Sequence, residues 1–226
     1  MGGQSPHVLK RPLGKAAPVP FYRQSLDFTC GPACLIMAMR SFDPTLPATR
    51  ELEIDIWREA NLVEAYASSR QGLALAAHRR GFGVRTQGSA ETIELLECLG
   101  LPLAEENRTV ARALHEDVKG RCRKAGIPDR VRGVSLDDIS GWLARSWVPL
   151  VLVDARLVTD EDVPHWVVVT ACDRGFVAFH DPLASEGNSH RPSEEFASLV
   201  GFRGVSCAVV VEGLREKESA GTGNPG

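Results

Sequence analysis

The two halves of the chain carry different hydrophobic patterns. In the first, apolar residues recur every three or four positions; in the second, they come in short unbroken runs rich in Val and Leu. The first pattern predicts helices and the second predicts strands. Residues 30–40, Cys-Gly-Pro-Ala-Cys-Leu-Ile-Met-Ala-Met-Arg, are apolar almost throughout, so a helix there must be buried on all sides. Pro32 falls in its first turn, where a missing N–H costs nothing. Leu52, Ile56 and Trp57 share helical spacing within 49–60. Further helices are expected over 69–80 with Gly81 as the stop, over 91–99, and over 109–125 with Gly126 and Pro128 at the end. Ser135 opens another as N-cap, with Asp138 near its positive end. A short strand fits 82–86.

Beyond these, 148–153 is a Val- and Leu-rich strand begun near Pro149. The runs 165–171 and 176–180 flank Cys172-Asp173-Arg174-Gly175, a hairpin signal in which Gly175 is expected at positive φ. A last strand fits 204–212. Helices first and antiparallel strands later predict an α+β fold, the helical N-terminal half packed on one side of a mostly antiparallel sheet in the C-terminal half. Residues 1–18, rich in Gly, Pro and Lys without periodicity, read as a flexible leader, and 214–226 as a disordered tail. One domain over 19–213 remains, with no internal repeat.

Composition narrows the functions. With 26 Lys+Arg against 29 Asp+Glu, and a formal net charge of -3, the chain lacks the basic surface that nucleic acid requires. Its longest apolar runs, 150–153 and 166–171, are too short to span a bilayer. The first residues show no charged start followed by an apolar stretch, so the cytoplasm is the expected compartment. Cys30, Cys34, Cys98, Cys122, Cys172 and Cys207 contain no CxxC pair and no zinc-ligand spacing, and neither metal nor other cofactor is expected. Most of these thiols read as small buried hydrophobes.

Cys30 differs because it begins the buried helix. Unpaired amides and the helix dipole favour negative charge there, which lowers a thiol pKa and populates the reactive thiolate. Gly31 leaves space beside the sulfur. Among the histidines, His7 lies in the leader, while His78 and His115 sit among charged neighbours and read as solvated. His165 follows Pro164 at the mouth of the strand Trp166-Val167-Val168-Val169, a rigid place for a general base. Folding the hairpin about 173–175 brings His165 level with residues near Asp181, which would orient the imidazole. Asp173 lies at the opposite end of the hairpin; Asp154, at another strand end, stays a rival. Gln24, six residues before Cys30, has a side-chain NH2 suited to a developing oxyanion, together with the Cys30 backbone N–H.

In this combination Gln24-x5-Cys30-Gly31-Pro32-Ala33, Pro164-His165-Trp166-Val167-Val168-Val169 and His180-Asp181-Pro182 resemble the C39-like cysteine peptidases of the papain-like superfamily. The middle segments 50–53 and 72–81 resemble a stand-alone bacterial branch. The resemblance implies a papain-like fold, Cys30 as nucleophile, His165 as base, Asp181 as its orienting group, Gln24 in the oxyanion hole, and a peptide or protein substrate. It does not carry over the double-glycine leader substrates of the transporter-fused members. An acyl or peptidyl transferase would use the same atoms, and a non-catalytic peptide-binding module would keep the fold. A thiol oxidoreductase built on Cys30 and Cys34 is disfavoured because an i,i+4 helical pair is spaced wider than a disulfide prefers. The sequence gives no oligomeric state.

Overall fold

The computed structural model describes residues 18–61, 67–90 and 105–216. Helix α1 (Cys30–Arg40) occupies the centre, with every residue from 31 to 39 buried, as an all-round apolar segment requires. Helix α2 (Arg50–Ala60) starts at Thr49, whose side chain accepts from the Leu52 amide. Helix α3 (Arg70–Arg79) starts at Ser69 in the same manner, bonding the Gly72 amide, and stops at Gly81 with φ +88. Gly72 lets α3 lie directly on the end of α2: a Cβ there would meet the Ala60 Cα at 2.5 Å.

Strand β1 (Phe82–Gly88) follows, then α4 (Glu105–Lys124), β2 (Asp129–Val131) and α5 (Leu136–Ala144). The N-terminus of α5 is a capping box: Ser135 Oγ accepts from the Asp138 amide, and the Asp138 carboxylate accepts from the Ser135 amide. Strands β3 (Val148–Asp154), β4 (Pro164–Cys172), β5 (Phe176–His180) and β6 (Ser189–Pro192), the short helix α6 (Ser193–Ser198) and strand β7 (Cys207–Leu214) complete the described chain. The expected helix over 91–99 and most of the leader and tail lie outside the described residues.

The seven strands form one sheet in the order β2-β1-β7-β3-β4-β5-β6. Only the β1–β2 pair is parallel. On one face, Leu150, Leu152, Trp166, Val168, Val209 and Val211 pack with α1 and α3. On the other, Val151, Val153, Val167, Val169, Ala208 and Val210 pack with Ile139 and Trp142 of α5 and Phe196 of α6. Strands apolar on both faces demand cover on both. The helical half therefore does not keep to one side: α5 crosses to the far face.

Other expectations change in detail. Gly175 does not take positive φ. The Asp173 carboxylate closes that turn, accepting from the Gly175 amide at 2.7 Å and the Phe176 amide at 3.0 Å. The last strand begins at Cys207 because 202–205 form a tight turn, with Phe202 and Val205 exchanging backbone hydrogen bonds and Gly204 at φ +84. His115, read as solvated, is buried on the inner face of α4 beside Ala111. Strands β2 and β6 carry no apolar run; each is an edge strand held by the pairing partner beside it.

Candidate active site

Cys30 is the first residue of α1, half-buried at the edge of a cleft. The chain reaches it through a tied loop: the Leu26 carbonyl accepts from Thr29 Oγ1 at 2.8 Å and from the Thr29 amide at 3.2 Å. His165 is the second residue of β4, paired with Val153 of β3, and is 4% exposed. Asp181 lies one residue beyond β5 and is 5% exposed. His165 Nε2 stands 2.8 Å from Asp181 Oδ1, which also accepts from the Leu183 amide at 2.9 Å. The imidazole also lines the same cleft as the Cys30 thiol and acts on it electrostatically. With Nε2 committed to Asp181, Nδ1 is the nitrogen left for sulfur.

Asp181 does not lie level with His165. Val168 pairs with His180 and Val169 with Phe179, while past a bulge Ala171 pairs with Ala178. Carried one residue further, that register sets Asp181 beside Val167. The carboxylate thus reaches His165 diagonally across the ladder. The rival carboxylates are engaged elsewhere. Asp154 binds the Arg156 guanidinium and accepts from the Arg156 amide, and Asp173 serves its turn.

Burial alone would push the Cys30 thiol up. The hydrogen bond and positive charge of His165, then the Trp166 and Gly31 amides, reverse this and leave it below its ordinary value. Burial likewise opposes the imidazolium, but hydrogen bonds to Asp181 and Cys30 outweigh it and raise His165 to about 9. The two groups titrate as a pair whose favoured form is thiolate and imidazolium.

Cys34, fully buried one turn later, donates to the Trp166 carbonyl at 3.2 Å. Its thiol is pushed well up by burial, then by negative charge at Cys30 and Asp181. Both cysteines are free thiols. The Cys30 thiol is shifted down and the Cys34 thiol up, so the two are not a matched pair, which disfavours a dithiol site. Among the described residues, no group of three or more His, Cys, Asp and Glu is arranged to hold a metal, and no helix is long and apolar enough to cross a membrane.

The cleft has a volume of about 390 Å³. Phe28, Val163, Leu183 and Phe202 supply apolar lining, Asp27, Glu161 and Asp162 acidic groups, and Cys30 and His165 a thiol and an imidazole. An adjoining hollow shares Asp27 and Leu183 and is lined by Gln24. Gln24 is itself buried: its backbone amide donates to the Pro182 carbonyl at 2.9 Å, and Nε2 donates to the Leu26 carbonyl at 2.8 Å. Neither bond is to Cys30 or His165. Its Oε1 is buried without a hydrogen-bond partner.

Sequence reasoning did not single out Glu53. It is 0% exposed, and its carboxylate accepts from Tyr22 Oη at 2.8 Å and from the Ser25 amide at 2.9 Å. The signal was its place in α2, on the face shared with buried Ile56 and Ala60.

A sequence profile described as the Peptidase_C39 like family matches residues 19–199. No curated protein matches the chain. Fourteen chains of solved structures match it, among them the following three. One is a double glycine motif protease from an AMS/PCAT transporter, in complex with the leader peptide: 17% identity, TM-score 0.45, covering 88% of this chain and 94% of that one. Another is the peptidase domain of Streptococcus ComA, a bi-functional ABC transporter involved in a quorum sensing pathway: 15% identity, TM-score 0.43, covering 86% and 97%. The third is described as a C39-like peptidase from Bacillus anthracis: 11% identity, TM-score 0.49, covering 90% and 98%.

Proposed function

The chain belongs to the Peptidase_C39 like family, and from that premise we propose that it is a cysteine peptidase hydrolysing a peptide or amide bond through Cys30, His165 and Asp181. The observation that carries this reading is the buried imidazole, held at 2.8 Å by Asp181 and lining the same open cleft as Cys30. The Cys30 thiolate attacks the substrate carbonyl carbon, and the carbonyl electrons move to oxygen. The Cys30 backbone N–H and the second N–H of Gln24 Nε2 stabilise that oxygen. His165 then gives its Nδ1 proton to the leaving amine as the C–N bond breaks, leaving an acyl group on sulfur. Water, deprotonated by His165, attacks this thioester and releases the acid. Asp181 fixes the ring through Nε2–H and stabilises its positive charge.

The test is to incubate the purified protein, and Cys30→Ala beside it, with a peptide library and identify new termini by mass spectrometry. Termini formed only by the wild type support the reading. No cleavage, with Cys30 alkylated by iodoacetamide no faster at pH 7 than a small free thiol, would overturn it.

A further inference from the structure

A fully buried carboxylate is costly to keep ionised unless its oxygens are all used. Glu53 uses both on one short segment. Oε2 accepts from Tyr22 Oη at 2.8 Å, and the Ser25 amide donates to Oε1 at 2.9 Å and to Oε2 at 3.3 Å. These contacts bracket Gln24. From the opposite side, the Gln24 amide is pinned to the carbonyl of Pro182, the residue after Asp181. Burial and the Glu53 charge raise the Tyr22 phenol well above its ordinary value, so it stays a donor. Helix α2 contributes no residue to the cleft lining, yet its one buried charge is spent on the segment that carries the oxyanion candidate.

We propose that Glu53 is a positioning residue: through Tyr22 and Ser25 it fixes the loop that presents the Gln24 amide to the oxyanion. This rests on the peptidase reading of Cys30, His165 and Asp181. The pairing of a carboxylate with two donors explains why an acid stands at a core position of α2. Methionine there keeps the volume of the helix face but removes both acceptors, so the loop loses both of its ties to α2; glutamine would keep them, its carbonyl accepting from Ser25 and its NH2 donating to Tyr22.

Two reactions of Cys30 separate this role from a purely structural one. Alkylation by iodoacetamide displaces iodide and develops no oxyanion. Acylation by p-nitrophenyl acetate passes through one. In Glu53→Met the ratio of acylation to alkylation rates should fall about tenfold or more, as expected when a donor is displaced by about an ångström. The pH profile of alkylation should stay that of the wild type. Gln24→Ala should lower the ratio similarly, and the double variant no further. Tyr22→Phe, which removes one tie and leaves the charge, should give a smaller drop and guards against a Glu53 variant that fails to fold. An unchanged ratio in Glu53→Met and Tyr22→Phe, or equal losses in both reactions tracking a lower Tm, would overturn the proposal. If instead Cys30→Ala released p-nitrophenol as fast as the wild type, the peptidase reading itself would fall.

Discussion

Replacing Asp181 separates the two things its carboxylate does for His165. A rise of the imidazole from 6.5 to about 9 corresponds to about 3 kcal/mol of preference for the imidazolium, achieved against burial. The Asp181 hydrogen bond is the leading favourable contribution, ahead of the Cys30 hydrogen bond and charge, with the Asp181 charge smallest. Asp181→Ala forfeits on the order of half this preference, and at about 1.4 kcal/mol per tenfold the alkylation rate of Cys30 at pH 7 should drop about tenfold. It also strands the Leu183 amide, so Tm should fall. Asp181→Asn keeps an acceptor opposite Nε2 and loses only the charge, so its rate should stay within about threefold of the wild type. The assay is second-order alkylation by iodoacetamide from pH 5 to 10, followed by mass. In the alanine variant the acid limb should move up toward the ordinary thiol value. Equal profiles for all three proteins would refute the view that Asp181 sets the charge on the Cys30–His165 pair.

Peptide hydrolysis should follow a bell-shaped pH profile. It needs thiolate, present above the lowered Cys30 value, and imidazolium, lost as pH rises through about 9; alkylation, which needs only thiolate, should not fall above pH 9. Cys34→Ala should cost about 1–2 kcal/mol in urea unfolding, because it removes a buried sulfur and its bond to Trp166. It should leave Cys30 alkylation within about twofold, whereas a dithiol redox site would lose its chemistry. Gly72→Ala sets overpacking of roughly 3 kcal/mol against Ala60 beside a helix-propensity gain of about 1 kcal/mol, so unfolding should show a net loss of about 2 kcal/mol.

Features legible in the sequence were those that local physics decides. Ser135 caps its helix because a side-chain oxygen meets an amide three residues on. Gly81 stops α3 because the chain there needs positive φ. Gly175 shows the limit of that reasoning: the turn it sits in needs no left-handed residue, since Asp173 supplies the hydrogen bonds. Strand β6 and helix α6 escaped notice because their few residues have little periodicity; the edge of β5 and a socket for Phe196 hold them. The meeting of His165 and Asp181 was foreseeable from one hairpin, but not its register: the bulge between Val169 and Ala171 sets Asp181 beside Val167, where the turn-side pairing would have set it beside Val168.

By itself, then, the amino-acid order determined where helices and strands lie and placed a cysteine at a helix start, with an imidazole and a carboxylate on either arm of a hairpin. Periods of 3.6 and 2 and hydrogen bonds spanning a few residues are written into neighbouring positions. Only the tertiary structure decided that His165 and Asp181 meet at 2.8 Å, that α5 crosses to the far face of the sheet, and that Glu53 spends its carboxylate on the Gln24 loop. Each of these depends on burial and on separations of a few ångströms between residues distant in the chain, and electrostatic energies in a low-dielectric interior change steeply over such distances.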